Sequence, residues 1–126
     1  MAARILVVED NPLNLKLMRD VLEFHGFQVL TARSGEEGVV VASTSSPDLV
    51  LMDLQLPGMD GHEALLRMRS DPRCRAIPVV AVTAFAMKDD IERADEAGFD
   101  GYIAKPISVR ALPAQLAPFL PDGAHA

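Results

Sequence analysis

Short apolar runs rich in β-branched and aliphatic residues recur along the chain at 5–8, 28–31, 49–52, 79–82 and 101–104. Between them lie longer stretches in which apolar residues return at helical spacing. The alternation predicts five strands and five helices. Three of the runs are apolar throughout, the pattern of strands covered on both faces by helices in a parallel sheet. The predicted class is α/β, doubly wound, in a single domain.

The punctuation supports this count. Asn11-Pro12 reads as an N-cap followed by proline at the first helical position; Leu13, Leu17, Val21 and Phe24 follow at helical spacing, and Gly26 suits a left-handed stop. Ser34 and Glu37 have capping-box spacing for the second helix, and Pro47 ends the connection into the third strand. Residues 56–61 form a turn-rich loop before the third helix. A fourth helix is expected over 88–97, carrying Met87, Ile91 and Ala94 inward and stopping at Gly98. Ser108 suits the start of a fifth, but Pro113 and Pro118 each lack a backbone donor. That helix is expected to begin late, with Pro113 in its first turn, or to be short and broken. Right-handed crossovers leave few strand orders for a domain of this size, of which the flavodoxin-like 2-1-3-4-5 is the commonest. The domain is expected to fill residues 1–120, with a frayed tail over 121–126.

Composition narrows the class of partner. The 126 residues are 49% hydrophobic, enough for a buried core, and eighteen acids against twelve bases give a net charge of −6. Such a field repels phosphate backbones and anionic membrane surfaces, so neither nucleic acid nor membrane insertion is expected. The longest mainly apolar stretch, over 77–87, falls short of the ~18–20 residues of a membrane span. One cysteine, Cys74, forms no internal disulfide, and the N-terminus runs directly into a strand-like segment; the expected compartment is the cytoplasm.

In an open parallel sheet, functional groups collect beyond the carboxyl ends of the strands, where this chain carries Glu9-Asp10, Asp53, Thr83 and Lys105. With the first and third strands adjacent, Glu9, Asp10 and Asp53 lie close together, and three carboxylates repel unless a cation joins them. Oxygen ligands select Mg²⁺, for which Mn²⁺ can substitute, and leave positions for water and a phosphoryl oxygen. Taken singly, each residue is an ordinary loop acid, strand-end hydroxyl or solvated lysine. Taken together they describe phosphoryl transfer to a carboxylate. Asp53 is the nucleophile, its acidic neighbours hold the metal, and Thr83 and Lys105 receive the incoming oxygens.

The chain here resembles the receiver domains of two-component response regulators, from Ile5 to about Leu120. The matching motifs are Val8-Glu9-Asp10-Asn11, the run over 51–61 from Leu51 to Gly61, the run over 78–84 from Pro78 to Ala84, and Lys105-Pro106. Asn11-Pro12-Leu13-Asn14, the stretch 83–88 and Lys105-Pro106-Ile107-Ser108 look most like the single-domain members acting in cell division. The resemblance implies that Asp53 accepts a phosphoryl group from a histidine of a kinase or phosphotransfer protein. Asp10, Asp53 and the backbone carbonyl of Gln55 would ligate Mg²⁺, with Glu9 helping through a metal-bound water. Lys105 would pair with the phosphoryl group, Thr83 would move to hydrogen-bond it, and Tyr102 would change rotamer in response. The Lys105-Pro106 bond would be cis. Output would pass to a protein partner through the fourth helix, fifth strand and fifth helix, since no effector follows residue 120.

Other chemistry-bearing residues read as structural. His25, His125 and His62 lack the spacing of ligands, the methionines fall at core-like positions, and Cys74 reads as an unpaired surface thiol despite the arginines beside it. Two rival functions fit less well. An aspartyl-phosphate phosphatase needs a second acid two residues after its nucleophile, where this chain has Gln55. A flavin or nucleotide carrier wants a phosphate-cradling loop after the first strand, where Glu9-Asp10-Asn11 would repel the phosphate.

Overall fold

The computed structural model describes residues 2–85 and 87–120; the tail expected over 121–126, with His125, lies outside the described residues. Strands β1 (Arg4–Val8), β2 (Gln28–Ala32), β3 (Leu49–Asp53), β4 (Val79–Thr83) and β5 (Gly101–Ala104) alternate with helices. These are α1 (Pro12–Phe24), α2 (Gly35–Ser45), α3 (Gly61–Arg69), α4 (Lys88–Ala97) and α5 (Leu112–Leu116), the last running into a 3₁₀ turn, Ala117–Phe119. The sheet is parallel in the order β2-β1-β3-β4-β5, as the alternation and crossover rules predict.

Alternation along each strand splits the core in two. Leu6, Val8, Val50, Met52, Val79 and Ala81 face α2, α3 and α4, which contribute Ala42, Ala64, Leu65, Met68 and Ala94. Ile5, Val7, Leu49, Leu51, Val80, Val82 and Ile103 face α1 and α5, which contribute Met18, Val21, Leu22, Leu112 and Leu116. β3 and β4 are buried at every position, which is why their sequences do not alternate.

The helix starts at Asn11 and Ser34 act as read: Asn11 Oδ1 accepts from the amides of Leu13 and Asn14, and Ser34 Oγ from Glu37. Asp60, which the sequence reading placed only in a loop, caps α3 in the same way, its Oδ1 accepting from Glu63. The helical spacing of Leu13, Leu17, Val21 and Phe24 holds, but it does not mark the buried face of α1: only Val21 is buried, while Leu13, Leu17 and Phe24 are exposed. An i, i+4 stripe and the Leu15-Met18-Leu22 stripe coexist on one helix, and the apolar face of the sheet takes the second. Met87 is also exposed, because it is the N-cap of α4 and precedes the packed turn; only Ala94 of that helix is buried.

The fifth helix begins late with Pro113 in its first turn and is short, both forms of the expectation together. Ser108 closes the preceding turn, Oγ accepting from the Ala111 amide, so it stands one turn ahead of the helix proper. Pro118 falls in the 3₁₀ turn, which lays the Phe119 ring over β5; a Cβ on Gly101 would lie 2.4 Å from that ring, so a larger residue there would push the ring aside. Burying Leu112 and Leu116 fully anchors this short element at about 1.5–3 kcal/mol each.

Cys74 is a correction, being buried and not on the surface. The turn after α3 folds it inward, its thiol 3.5 Å from Met68 O. Burial, followed by the nearby charge of Asp71, raises the thiol's pKa against the opposing pull of Arg73 and Arg69. At the same end of the sheet the Arg69 guanidinium donates to Arg75 O, Ile77 O, Gly98 O and Asp100 Oδ2, at 2.7 to 3.2 Å. Asp100 Oδ2 also accepts from the Val79 amide, so one arginine ties α3 to the starts of β4 and β5.

Candidate functional site

Register builds the site. Val8 pairs with Met52, so Glu9 follows beside Asp53; Asp53 pairs with Val82, one residue before Thr83; Thr83 pairs with Ala104, one residue before Lys105. All four groups emerge at one edge of the sheet. Gly61 lets α3 start tight against it: a Cβ there would lie 2.7 Å from Asp53 O.

One oxygen each from Glu9, Asp10 and Asp53 lies within 4.8 Å of the others, with Glu9 and Asp53 buried and Asp10 half-buried. Lys105 Nζ stands 3.0 Å from Asp53 Oδ2, to which it donates, and 3.0 Å from Glu9 Oε1. The second contact lacks hydrogen-bond geometry, so the buried Glu9 Oε1 has charge nearby but no donor. Glu9 Oε2 accepts from the Asn11 amide at 3.1 Å, and Asp53 Oδ1 from the Gln55 amide at 2.9 Å. Burial, and then the neighbouring Asp53, raise the pKa of Glu9. For Lys105, burial alone would lower the pKa, but its pairing with Glu9 and Asp53 outweighs burial and raises it.

Three acids against one ammonium leave an excess of negative charge, and one buried oxygen lacks a donor. Both features fit a hard divalent cation bound by oxygen, and the donor set contains no soft ligand.

Thr83, also buried, accepts from the Phe85 amide at 2.9 Å and from Gln55 Nε2 at 3.2 Å, and Gln55 Oε1 accepts from the Ala84 amide. Two hollows flank the cluster. One of about 310 Å³ is lined by Asn14, Leu17, Pro106 and Ile107 beside Glu9 and Lys105. The other, about 200 Å³, lies between Gln55, His62, Thr83, Phe85 and Arg93. A larger hollow of about 660 Å³ sits at the far end of α3, away from the acids. Tyr102 is outside the cluster, 46% exposed on β5, and the Lys105–Pro106 bond is cis. His62 lies edge-on to Phe99 at 5.5 Å and His25 closes α1, both structural positions. The contacts that the sequence reading missed are backbone ones, from Asn11 and Gln55 to the acids. A capping residue directly after two acids was the available signal for the first.

Comparison with known proteins gives a consistent picture. Residues 5–117 match the response regulator receiver domain. The polar-differentiation response regulator DivK of Brucella ovis is 49% identical over 109 residues, covering 86% of this chain and 89% of the relative. The receiver domain of a Pseudomonas aeruginosa sensor histidine kinase, solved with a magnesium ion coordinated in its active-site cleft, superposes with a TM-score of 0.86 at 34% identity; the match covers 94% of this chain and 98% of that one. Vibrio cholerae chemotaxis protein CheY4 shares the fold, with a TM-score of 0.89 at 23% identity over 95% of this chain and all of its own.

Proposed function

The chain belongs to the response regulator receiver domains, and from that premise we propose that it takes a phosphoryl group onto Asp53 from the phosphohistidine of a kinase or phosphotransfer protein. The observation that carries this reading is the pairing of a buried Asp53 with Lys105 at 3.0 Å inside a cluster of two further acids. Asp10, Asp53 and the Gln55 carbonyl would hold Mg²⁺ or Mn²⁺, with Glu9 acting through a water. The cation supplies charge neutralisation for the incoming phosphoryl group.

The chain's own residues do the rest. An Asp53 oxygen attacks phosphorus, an O–P bond forms as the donor's N–P bond breaks, and the released imidazole keeps its electron pair and takes up a proton from solvent. Lys105, already against Asp53, stays with the negative charge that arrives. Thr83 must give up its bonds with Phe85 and Gln55 to turn toward that group. Its departure leaves room into which Tyr102 can turn, remodelling the face made by α4, β5 and α5.

The protein is thus a phosphoacceptor that promotes its own transfer and signals by contact, and is not an enzyme acting on a separate substrate. Residues 1–120 form its one receiver domain. The DivK relatives support a place in cell-division control, and we place the protein in the cytoplasm. Among the described residues no helix is long and apolar enough to cross a membrane.

Labelling with a small phosphodonor such as acetyl phosphate tests the assignment. Wild type labels in the presence of Mg²⁺ and stops labelling in chelator, and Asp53→Asn does not label. Persistent labelling of Asp53→Asn overturns the reading.

A further inference from the structure

Glu9 is an acid that is 1% exposed, and its orientation rests on two unequal supports. Oε2 is held by a hydrogen bond from the Asn11 amide at 3.1 Å, whereas Oε1 is drawn toward Lys105 at 3.0 Å without a formed hydrogen bond. The Asn11 amide therefore supplies the hydrogen bond that orients the carboxylate, whose other oxygen lies against the ammonium that also holds Asp53.

That direction is set by the start of α1. Asn11 is its N-cap, with φ −79° and ψ 118°, and Oδ1 accepts from Leu13 N at 2.9 Å and Asn14 N at 3.1 Å. Its carbonyl accepts from Leu15 N at 2.9 Å, and Pro12 follows with a φ fixed by its ring. One residue thus closes the first turn of the helix with its side chain and points its backbone N–H back at the buried acid. Without Oδ1 two amides of the first turn lose their acceptor, the backbone at residue 11 gains freedom, and Glu9 is left to the pull of Lys105.

We propose that Asn11 is a positioning residue for the cation site: by capping α1 it fixes the amide that holds Glu9 in line with Asp10 and Asp53, while itself touching neither metal nor phosphoryl group. The proposal rests on the functional reading above and adds to it a residue outside the acidic cluster.

Titration with Mn²⁺ alone, followed by the paramagnetic resonance signal of the free ion, tests it on the full chain well below its melting temperature. Asn11→Ala weakens binding about three- to tenfold, less than the ~10–100-fold loss typical when an outer-shell partner is removed outright, because the amide is loosened and not deleted. Asn11→Ser, which keeps a capping oxygen, binds like wild type. In a Glu9→Gln background the effect of Asn11→Ala disappears, since the residue acts through that carboxylate. If Asn11→Ala fails to fold, Asn11→Gly, a milder cap loss, carries the same comparison. A cap variant that melts lower yet binds Mn²⁺ like wild type overturns the proposal, as does an effect undiminished on Glu9→Gln. Wild type that does not bind Mn²⁺ overturns the functional reading and the inference with it, so the two failures differ.

Discussion

Phe85 beside the site and Cys74 at the far end of the sheet each set a property of the molecule through the side chain they carry. Phe85 is 60% exposed and lines the smaller hollow beside Thr83, where it offers no group to orient a water, and the nearby Gln55 amide is engaged with Thr83 and Ala84. Self-dephosphorylation is accordingly expected to be slow, and Phe85→Gln to lose its acyl phosphate faster than wild type. Following the decay of phosphorylated protein after removal of the donor checks this; an unchanged rate shows that position 85 does not gate water. Cys74 governs a different property. Its thiol is held neutral by burial, so its folded pKa is above the unfolded value of ~8.5. Between those two values the unfolded chain has lost a proton that the native state keeps, and stability falls as pH rises. Denaturant melts from pH 7 to 9.5 should show this fall in wild type and less of it in Cys74→Ala. Sequence gave the wrong exposure for this residue because the neighbouring arginines dominate the local composition, whereas burial comes from a turn folding over Met68.

Elements were legible where local chemistry and tertiary demand agree. The runs at 49–52 and 79–82 could only be strands buried on both faces, and caps at Asn11 and Ser34 placed two helix starts to the residue. The buried face of α1 was not legible, because two apolar stripes fit its period and only the sheet chooses between them. The acidic cluster could be read because strand order makes the ends of β1 and β3 neighbours, but the backbone contacts that aim it could not, since every residue other than proline carries the same amide. The proline-punctuated end behaves as local chemistry requires: five helical residues and a single 3₁₀ turn have few internal hydrogen bonds and rest on two leucines. In native-state hydrogen exchange, residues 108–120 should exchange faster than α1 in the free protein. They should become protected when a phosphorylation-dependent partner binds. Protection equal to α1 without partner, or a partner footprint confined to α2 and α3, counts against the output face proposed above.

Across the whole molecule the two edges of the sheet are opposites. At one, three acids cluster while only Glu9 and Asp53 reach the ammonium of Lys105, and mutual repulsion lowers the stability of the metal-free fold. Asp10→Asn should therefore melt higher than wild type in chelator and gain less from Mg²⁺, as thermal melts in both conditions would show. A variant that melts lower in chelator and keeps the full Mg²⁺ shift refutes the repulsion. At the other edge, Arg69 binds the starts of β4 and β5 to α3 through four hydrogen bonds. Its consequence is mechanical. A strand pinned at its base and loaded at its tip moves as a lever, so a small push where Thr83 and Lys105 sit is expressed as tilt at the tip and dies away toward the fulcrum. Under the proposed function, the guanidinium would make the base of β4 and β5 the fixed point against which the acidic end is displaced.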